Sequence, residues 1–555
     1  MSKITLKING KDYQFPKGVR LAELARMVQD QYEHPIVVAK VNHQLRNCCD
    51  HLQEDGEVEF LEVTSPIGNR VYQRSLTFVL SKAIRDVYPQ ARLSAEHSIS
   101  HGLYCQLKNF RHLKMDDVER IEQRMRELVE ADLPFVRTTI PTEEAVRIFE
   151  EHQHEDRVIL FERERQKSET SIYTLDGYSD YYFGYMVAST GMLQTFQLRY
   201  YMPGFILLFP DEQNPNIMPA FEEQPKLFNI LRESDAFAKF QNVHNVGMLN
   251  RHIREGRIGE VVRVSEGLHE KKIIDIAEQI TRERERIRLI MIAGPSSSGK
   301  TTFAKRLSVQ LKVNGMDPVA ISLDDYFVNR EETPLDEDGK PDYESLEAIN
   351  VEQFNRDLTS LLQGEEVELP AFDFKTGINA PSGKITRVRH DQPIVIEGIH
   401  GLNNRLTETI PRSRKFYIYI SALTQLNLDS SNRIKTTDAR LLRRLVRDAK
   451  FRGYPADATL GMWQSVRRGE NNYIFRFQEN ADVMFNSHLV YELSVLKQFA
   501  QPFLEAIDEE APHHAEAKNL LNILDFFEPM DALEEIPNNS LIREFIGQSC
   551  FYHFE

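Results

Sequence analysis

The stretch RLIMIAGPSSSGKTTFAKRLSVQL, residues 288–311, decides how the rest of the chain is read. Leu289 to Ala293 is an unbroken apolar run, the composition of a strand buried on both faces of a parallel sheet. The stretch from Lys300 is amphipathic at helical spacing, with Phe303, Leu307, Val309 and Leu311 mostly on one side. Between them, Gly294-Pro295-Ser296-Ser297-Ser298-Gly299-Lys300-Thr301 matches GxxxxGK[ST] at every fixed position. A serine-rich glycine loop standing alone reads as a linker, but a linker needs neither the lysine nor the strand and helix around it. Glycines let backbone N–H groups turn inward around phosphates, and the helix N-terminus adds partial positive charge. Gly294 through Thr302 are therefore expected to hold a nucleoside triphosphate. Lys300 would reach its β- and γ-phosphates, and the Thr301 hydroxyl would coordinate Mg²⁺.

Downstream residues narrow the chemistry. PVAISLDDYF, 318–327, reads as a second buried strand with Asp324 and Asp325 at its C-terminal tip. A carboxylate there, beside the phosphates, can accept the proton of an attacking hydroxyl. PIVIEGIHGL, 393–402, is a third apolar strand ending in Glu397, where an acid would sit on the Mg²⁺ side. ARLLRRLVRDAKFRG, 439–453, puts Arg440, Arg443, Arg444 and Arg447 opposite Leu441, Leu442, Leu445 and Val446. By itself such a run is a solvated helix face. Behind a phosphate loop and an acidic strand end, it reads instead as arginines that close over a transferring phosphoryl group.

The 555 residues leave room for three or four domains. A net charge of −16 is poorly suited to holding nucleic acid by bulk electrostatics. The four cysteines, Cys48, Cys49, Cys105 and Cys550, form no CxxC pair, which fits a reducing cytoplasm. No apolar run approaches the ~18 residues of a membrane span.

The front of the chain begins ITLKINGKDYQFPKG, two strands about the Asn9-Gly10 turn, followed by a helical RLAELARMVQDQY and the strand-like PIVVAKVN and GEVEFLEV. About four strands around one helix make a β-grasp arrangement, and this order resembles the TGS domain. The resemblance implies a docking or regulatory module over residues 1–64. RSLTFVLSKAIRDVYPQARL, GLYCQL, EEAVRIF and DYYFGYMVASTGMLQTFQL, within residues 65–210, resemble the α+β second additional domain of threonyl-tRNA synthetases. There, two histidines and a later cysteine–histidine pair carry editing. The matching positions here are Arg74, Phe78, Tyr182 and Met186, which cannot supply imidazole or thiolate donors, so editing is not expected. His97, His101 and Cys105 are spaced by four, but Gly102 and the strand-like GLYCQL keep them off one helical face. Residues 211–285 read as a helical linker, ending in a solvated Arg/Glu run.

GPSSSGKTT, SLDDYF, DYESLEAINVEQFNRDLTSLLQGEEVELPAFDF, VIEGIHGL and RLLRRLVRDAKFRG, within residues 286–500, together resemble the uridine kinase and phosphoribulokinase family. The resemblance implies a P-loop fold, a parallel sheet flanked by helices. It also implies ATP and Mg²⁺ as cofactors and a small hydroxyl-bearing acceptor. By position it makes Asp324 the general base, with Asp325 one residue away as rival, and Glu397 the Mg²⁺-side acid. Glu344 falls where the family binds ribose hydroxyls. Phe327, Phe372 and Asp373 lie on the acceptor side, and Arg444, Arg447 and Arg452 match lid arginines. Gly377 stands where a base-reading histidine is expected, Phe372 lacks the family's tyrosine hydroxyl, and Tyr454 replaces an arginine. Phosphoryl transfer survives these departures better than pyrimidine selectivity does.

Residues 501–555 read as a helical, acidic C-terminal extension, with His513 and His514 on a solvated helix end. The whole, an α/β multidomain chain, resembles bacterial uridine kinase-related nucleoside kinases. The competing expectation is an RNA- or ribosome-associated ATPase switch whose front modules bind RNA. The acceptor and any homo-oligomer are not legible.

Overall fold

Alternation along Leu289–Ala293 sets the central layer. Leu289, Met291 and Ala293 enter one apolar cluster, with Phe354, Leu358 and Tyr419. Ile290 and Ile292 enter the cluster on the opposite face, with Phe303, Leu307 and Leu311. This strand is the middle of a five-stranded parallel sheet in the order Val319–Ser322, Ile394–Glu397, Leu289–Ala293, Lys415–Ser421, Val483–Asn486. The structure, a computed structural model, describes residues 3–164, 168–212, 214–337, 339–424 and 426–552.

Three local expectations change. Val319–Ser322 lies at the sheet edge, so of its four residues only Ile321 is buried. Val309 is 48% exposed, off the apolar face that Phe303, Leu307 and Leu311 bury. The helices expected within 211–285 form, Pro225–Phe240, Val246–Arg254 and Ile258–Arg282, but they pack into the core and are not a free connection. Ile273, Ile276, Ala277 and Ile280 of the last cover the sheet face beside Phe303, while its charged end stays exposed.

The segment after residue 500 is no appendage. Helix Glu492–Glu505 runs through that position unbroken, and His514–Asp525 follows. Leu520, Ile523, Phe527, Ile542 and Phe545 share one core with Phe149, Phe161, Val246 and Val262 from upstream and Leu442 and Leu445 from the arginine helix. His513 is held by Asp457, Nδ1 to Oδ1 2.9 Å, and is not a free helix end.

The front holds further sheets, including a two-stranded ribbon of Val19–Arg20 and His51–Leu52. A mixed five-stranded sheet, in the order Lys11–Pro16, Lys3–Ile8, Gly56–Glu62, Ile36–Val41, Gln44–Arg46, grips helix Leu21–Val28 through Leu6, Leu21, Leu24 and Phe60. Val37, Val38 and Leu61 extend it onto helix Pro66–Val87. An antiparallel four-stranded sheet follows, Gln197–Tyr201, Gly204–Leu208, Gly102–Lys108, Arg92–Ile99, and a three-stranded sheet from Val136 to Asp180. His97 pairs with Tyr104 and Ala95 with Cys105 across two strands, so His97 and Cys105 are indeed not on one helix. Burial pushes the His97 imidazole down to about 3.

These front elements grip segment 427–438, which follows the strand Lys415–Ser421. Arg157, without solvent exposure, meets Asp180 Oδ1 at 3.1 Å and Ser431 Oγ at 2.8 Å. Asn427 Nδ2 donates to Ala95 O at 3.2 Å, and Arg70 Nη2 meets Asp438 Oδ1 at 2.9 Å. Asp438 lies in the first turn of helix Thr436–Arg447.

Candidate active site

The loop between Ala293 and Lys300 turns its carbonyls outward. Ser296 O accepts from Arg440 Nη1 at 3.0 Å, Ser297 O from Arg443 Nη1 at 3.3 Å, and Ser298 O from Ser487 Oγ at 2.5 Å. In a trans peptide the next N–H points opposite to its C=O, so the N–H groups of Ser297 and Gly299 are aimed inward, while that of Ser298 donates to Pro295 O at 3.3 Å. Two left-handed residues, Ser297 at φ +59° and Gly299 at φ +85°, make the curl. Gly294 cannot be replaced cheaply, because a Cβ there would lie 1.9 Å from Ile420 O. Lys300 begins the helix Lys300–Val313 and folds its Nζ back to Pro295 O at 3.2 Å.

Arg440 and Arg443 are therefore walls and not lid residues. Both are buried, Arg440 against Glu470 (Nη2 to Oε2 2.7 Å) and Arg443 against Glu492 (Nη2 to Oε2 2.5 Å). Glu470 also accepts from Ser296 N–H at 3.1 Å. Neither Glu470 nor Ser487 was legible as a site residue. The helical spacing of four arginines was visible, but which of them are buried depends on what packs across them.

Two strand tips and a loop bring acids to the cradle. Glu397 Oε1 accepts from Thr301 Oγ1 and from Ser322 Oγ, each at 3.1 Å. Burial pushes the Glu397 carboxyl up to about 7; the Asp324 carboxylate adds to this and Lys300 opposes it. Glu344 is likewise pushed up to about 7 by burial and by Glu470, with Arg444 and Lys300 opposing. Its Oε2 has no hydrogen-bond partner although buried. Asp324 acts on Glu344, Glu397 and Arg452 alike, so it faces the cradle. Asp325 is turned the other way: its carboxylate accepts from Phe372 N–H on the hairpin Glu366–Arg387, and burial raises it.

That hairpin forms the acceptor side. Phe327 and Phe372 have ring centroids 5.6 Å apart, and Phe374 sits edge-on to Phe372 at 5.2 Å. The Arg452 guanidinium lies 5.1 Å from the Phe374 ring. Asp373 caps the hairpin turn, accepting from Lys375 N–H at 2.8 Å and from Thr376 N–H at 3.4 Å. Gly377, at φ +75°, is packed by the Arg330 side chain, 2.7 Å from where a Cβ would stand.

The remaining arginines gather on one carboxylate. Arg444, Arg447 and Arg452 lie 3.2, 3.0 and 3.7 Å from Asp448, and Arg444 also donates to Ser296 Oγ at 2.9 Å. Three guanidinium groups against one acid leave excess positive charge beside the loop. Tyr454, beyond Gly453, is 37% exposed.

Inward N–H groups, a lysine, a threonine hydroxyl and a neighbouring carboxylate are oxygen and cation partners that suit a Mg²⁺-bound triphosphate. Among the described residues no cluster of three or more His, Cys, Asp or Glu could hold a metal without other ligands. The four positions matching an editing centre do lie together: Tyr182 is 4.9 Å from Phe78 between centroids and bonds Ser81, Met186 is buried, and Arg74 donates to Tyr185 O at 2.6 Å. Packed aromatic carbon fills the space.

Residues 289–494 match the model of the Phosphoribulokinase / Uridine kinase family. Elsewhere the chain is similar to threonine–tRNA ligases. The one from Symbiobacterium thermophilum is 28% identical over 190 residues, 34% of this chain and 29% of that protein. The one from Rubrobacter xylanophilus is 30% identical over 191 residues, again 34% and 29%. This chain thus spans under a third of the length of these curated relatives. A solved chain described as a "Possible Uridine Kinase from Bacillus stearothermophilus" aligns at 20% identity and a TM-score of 0.27, covering 39% of this chain and 98% of that one. No helix among the described residues is long and apolar enough to cross a membrane.

Proposed function

We propose that residues 286–500 form an ATP- and Mg²⁺-dependent phosphotransferase that phosphorylates a hydroxyl of a nucleoside or another ribose-type small molecule. The observation that carries this is the convergence of Lys300, Thr301, Glu397 and Asp324 at the C-terminal ends of parallel strands. Gly294 through Thr302 would hold the phosphates, and Thr301 with Glu397 would hold the Mg²⁺. Bound Mg²⁺ would neutralise charge on the β- and γ-phosphates. Asp324 would take the proton of the acceptor hydroxyl. Lys300, Arg444 and Arg447 would stabilise the charge spread over the transferring group. Glu344 would accept from acceptor hydroxyls, and its unpartnered Oε2 supports that role. Phe327, Phe372 and Arg452 would wall the acceptor, with Asp373 acting only through the hairpin turn.

Matches to synthetases that span under a third of those proteins support a binding or scaffolding role for the front region. The reading is tested by ADP release with nucleosides, sugar phosphates and pantothenate-like alcohols as acceptors, with Lys300→Ala as blank. Stimulation by a ribose-bearing acceptor is expected. ATP turnover that ignores every small alcohol and responds to RNA would overturn it.

A further inference from the structure

Thr302, the third residue of the helix Lys300–Val313, has no solvent exposure. In a phosphate loop the N–H groups of this first turn serve the phosphates nearest the nucleoside. Here Thr302 already has an anionic partner for both its N–H and its hydroxyl. Glu544 Oε2 accepts from Thr302 Oγ1 at 2.6 Å and from Thr302 N–H at 3.3 Å. Glu544 comes from the short helix Arg543–Ile546, some 240 residues away in sequence. The contact is built at several points. Tyr552 OH lies 3.1 Å from the same Thr302 hydroxyl, Lys305 Nζ donates to Phe551 O at 2.8 Å and stands 3.9 Å from the Tyr552 ring centroid. Leu541 packs 3.1 Å from the place a Cβ would take on Gly299, and it is buried in the same cluster as Phe303.

We infer that Glu544 competes with the nucleotide for the Thr302 donors, so that its carboxylate occupies this end of the phosphate cradle from within the chain until a triphosphate displaces it. The inference rests on the nucleotide-binding part of the proposed function. A carboxylate at a helix N-terminus is stabilised by the same partial charge that attracts a phosphate, and the two anions cannot share the site. Displacing the Glu544 side chain loosens the hold of Thr302 and Lys305 on Tyr552 and Phe551, so nucleotide binding is coupled to loosening of residues 549–552, while Leu541, Ile542 and Phe545 stay in the core.

The test is calorimetric titration of the full chain with Mg·ADP, Mg·ATP and, as a phosphate-free control, adenosine, on wild type, Glu544→Gln and Glu544→Ala. Both variants are expected to bind the phosphorylated ligands about tenfold more tightly and adenosine unchanged. In wild type, hydrogen exchange of amides 549–552 should quicken on adding Mg·ATP. Unchanged or weaker nucleotide binding in both variants, or exchange that slows on binding, would overturn the inference while leaving the kinase reading intact. Binding by the variants where wild type binds nothing would support it most strongly. Failure of all three proteins to bind any nucleotide would overturn both.

Discussion

Asp324 and Asp325 are neighbours in sequence, yet only the first shares its field with Lys300's acids; the second is tied to Phe372 N–H. Asp324→Asn is expected to slow single-turnover phosphoryl transfer by ~10²–10⁴-fold, the usual scale of a lost general base. Asp325→Asn should keep most of the rate, and near-normal transfer in Asp324→Asn would reverse the assignment. Glu344 gives a pH signature. Its carboxyl titrates at about 7 when folded, above the ordinary 4.5, so the folded state keeps a proton that the unfolded chain releases between those values. Stability contributed by this group therefore falls as pH rises from about 4.5 to about 7, then stays level. Thermal melts should show Glu344→Gln gaining on wild type across that window. A constant difference from pH 4.5 to 7 would mean Glu344 is not held protonated.

At the scale of the element, helix Thr436–Arg447 carries two kinds of arginine. Arg440 and Arg443 are structural walls that fix the loop carbonyls, while Arg444 reaches Ser296 Oγ and shares Asp448 with Arg447. The repeat was plain in RLLRRLVRD, but its division was not, because only the helices Ala456–Tyr473 and Glu492–Glu505 supply Glu470 and Glu492 as buried partners. Glu470→Ala should leave Arg440 buried and unpaired at a cost of about 3–5 kcal/mol, read by denaturant unfolding. The double variant Arg440→Met, Glu470→Leu should recover much of that stability. Nucleotide affinity should stay low in the double variant, because Ser296 N–H has lost its acceptor. Joint recovery of both would show that Glu470 supports the fold and not the loop.

At the scale of the molecule, the front region grips the segment that leads into this same helix. Arg157 sits between Asp180 and Asp429, with no solvent exposure, and Arg70 holds Asp438 in the helix's first turn. Arg157→Met would bury two carboxylates without their cation. A loss of about 3–5 kcal/mol is expected, with faster hydrogen exchange in 436–447 than in the β-grasp sheet. Equal exchange in both would argue that the front region does not steady the helix. The −16 net charge said nothing of this joint, which is made from individual buried pairs.

What the chain's own order of residues determined is the local machinery: an apolar strand, a glycine loop, a lysine and an acid at each of two strand ends. Those signals are local because strand and helix periodicity and the phosphate cradle each need only a few consecutive residues. Tertiary structure decided everything that needs partners far apart in sequence. It set which arginines are walls, which aspartate faces the cradle, that the helices within 225–282 pack into the core, and that Glu544 reaches Thr302. The physical reason is burial: a charged side chain's role follows from what excludes water around it, and packing supplies that.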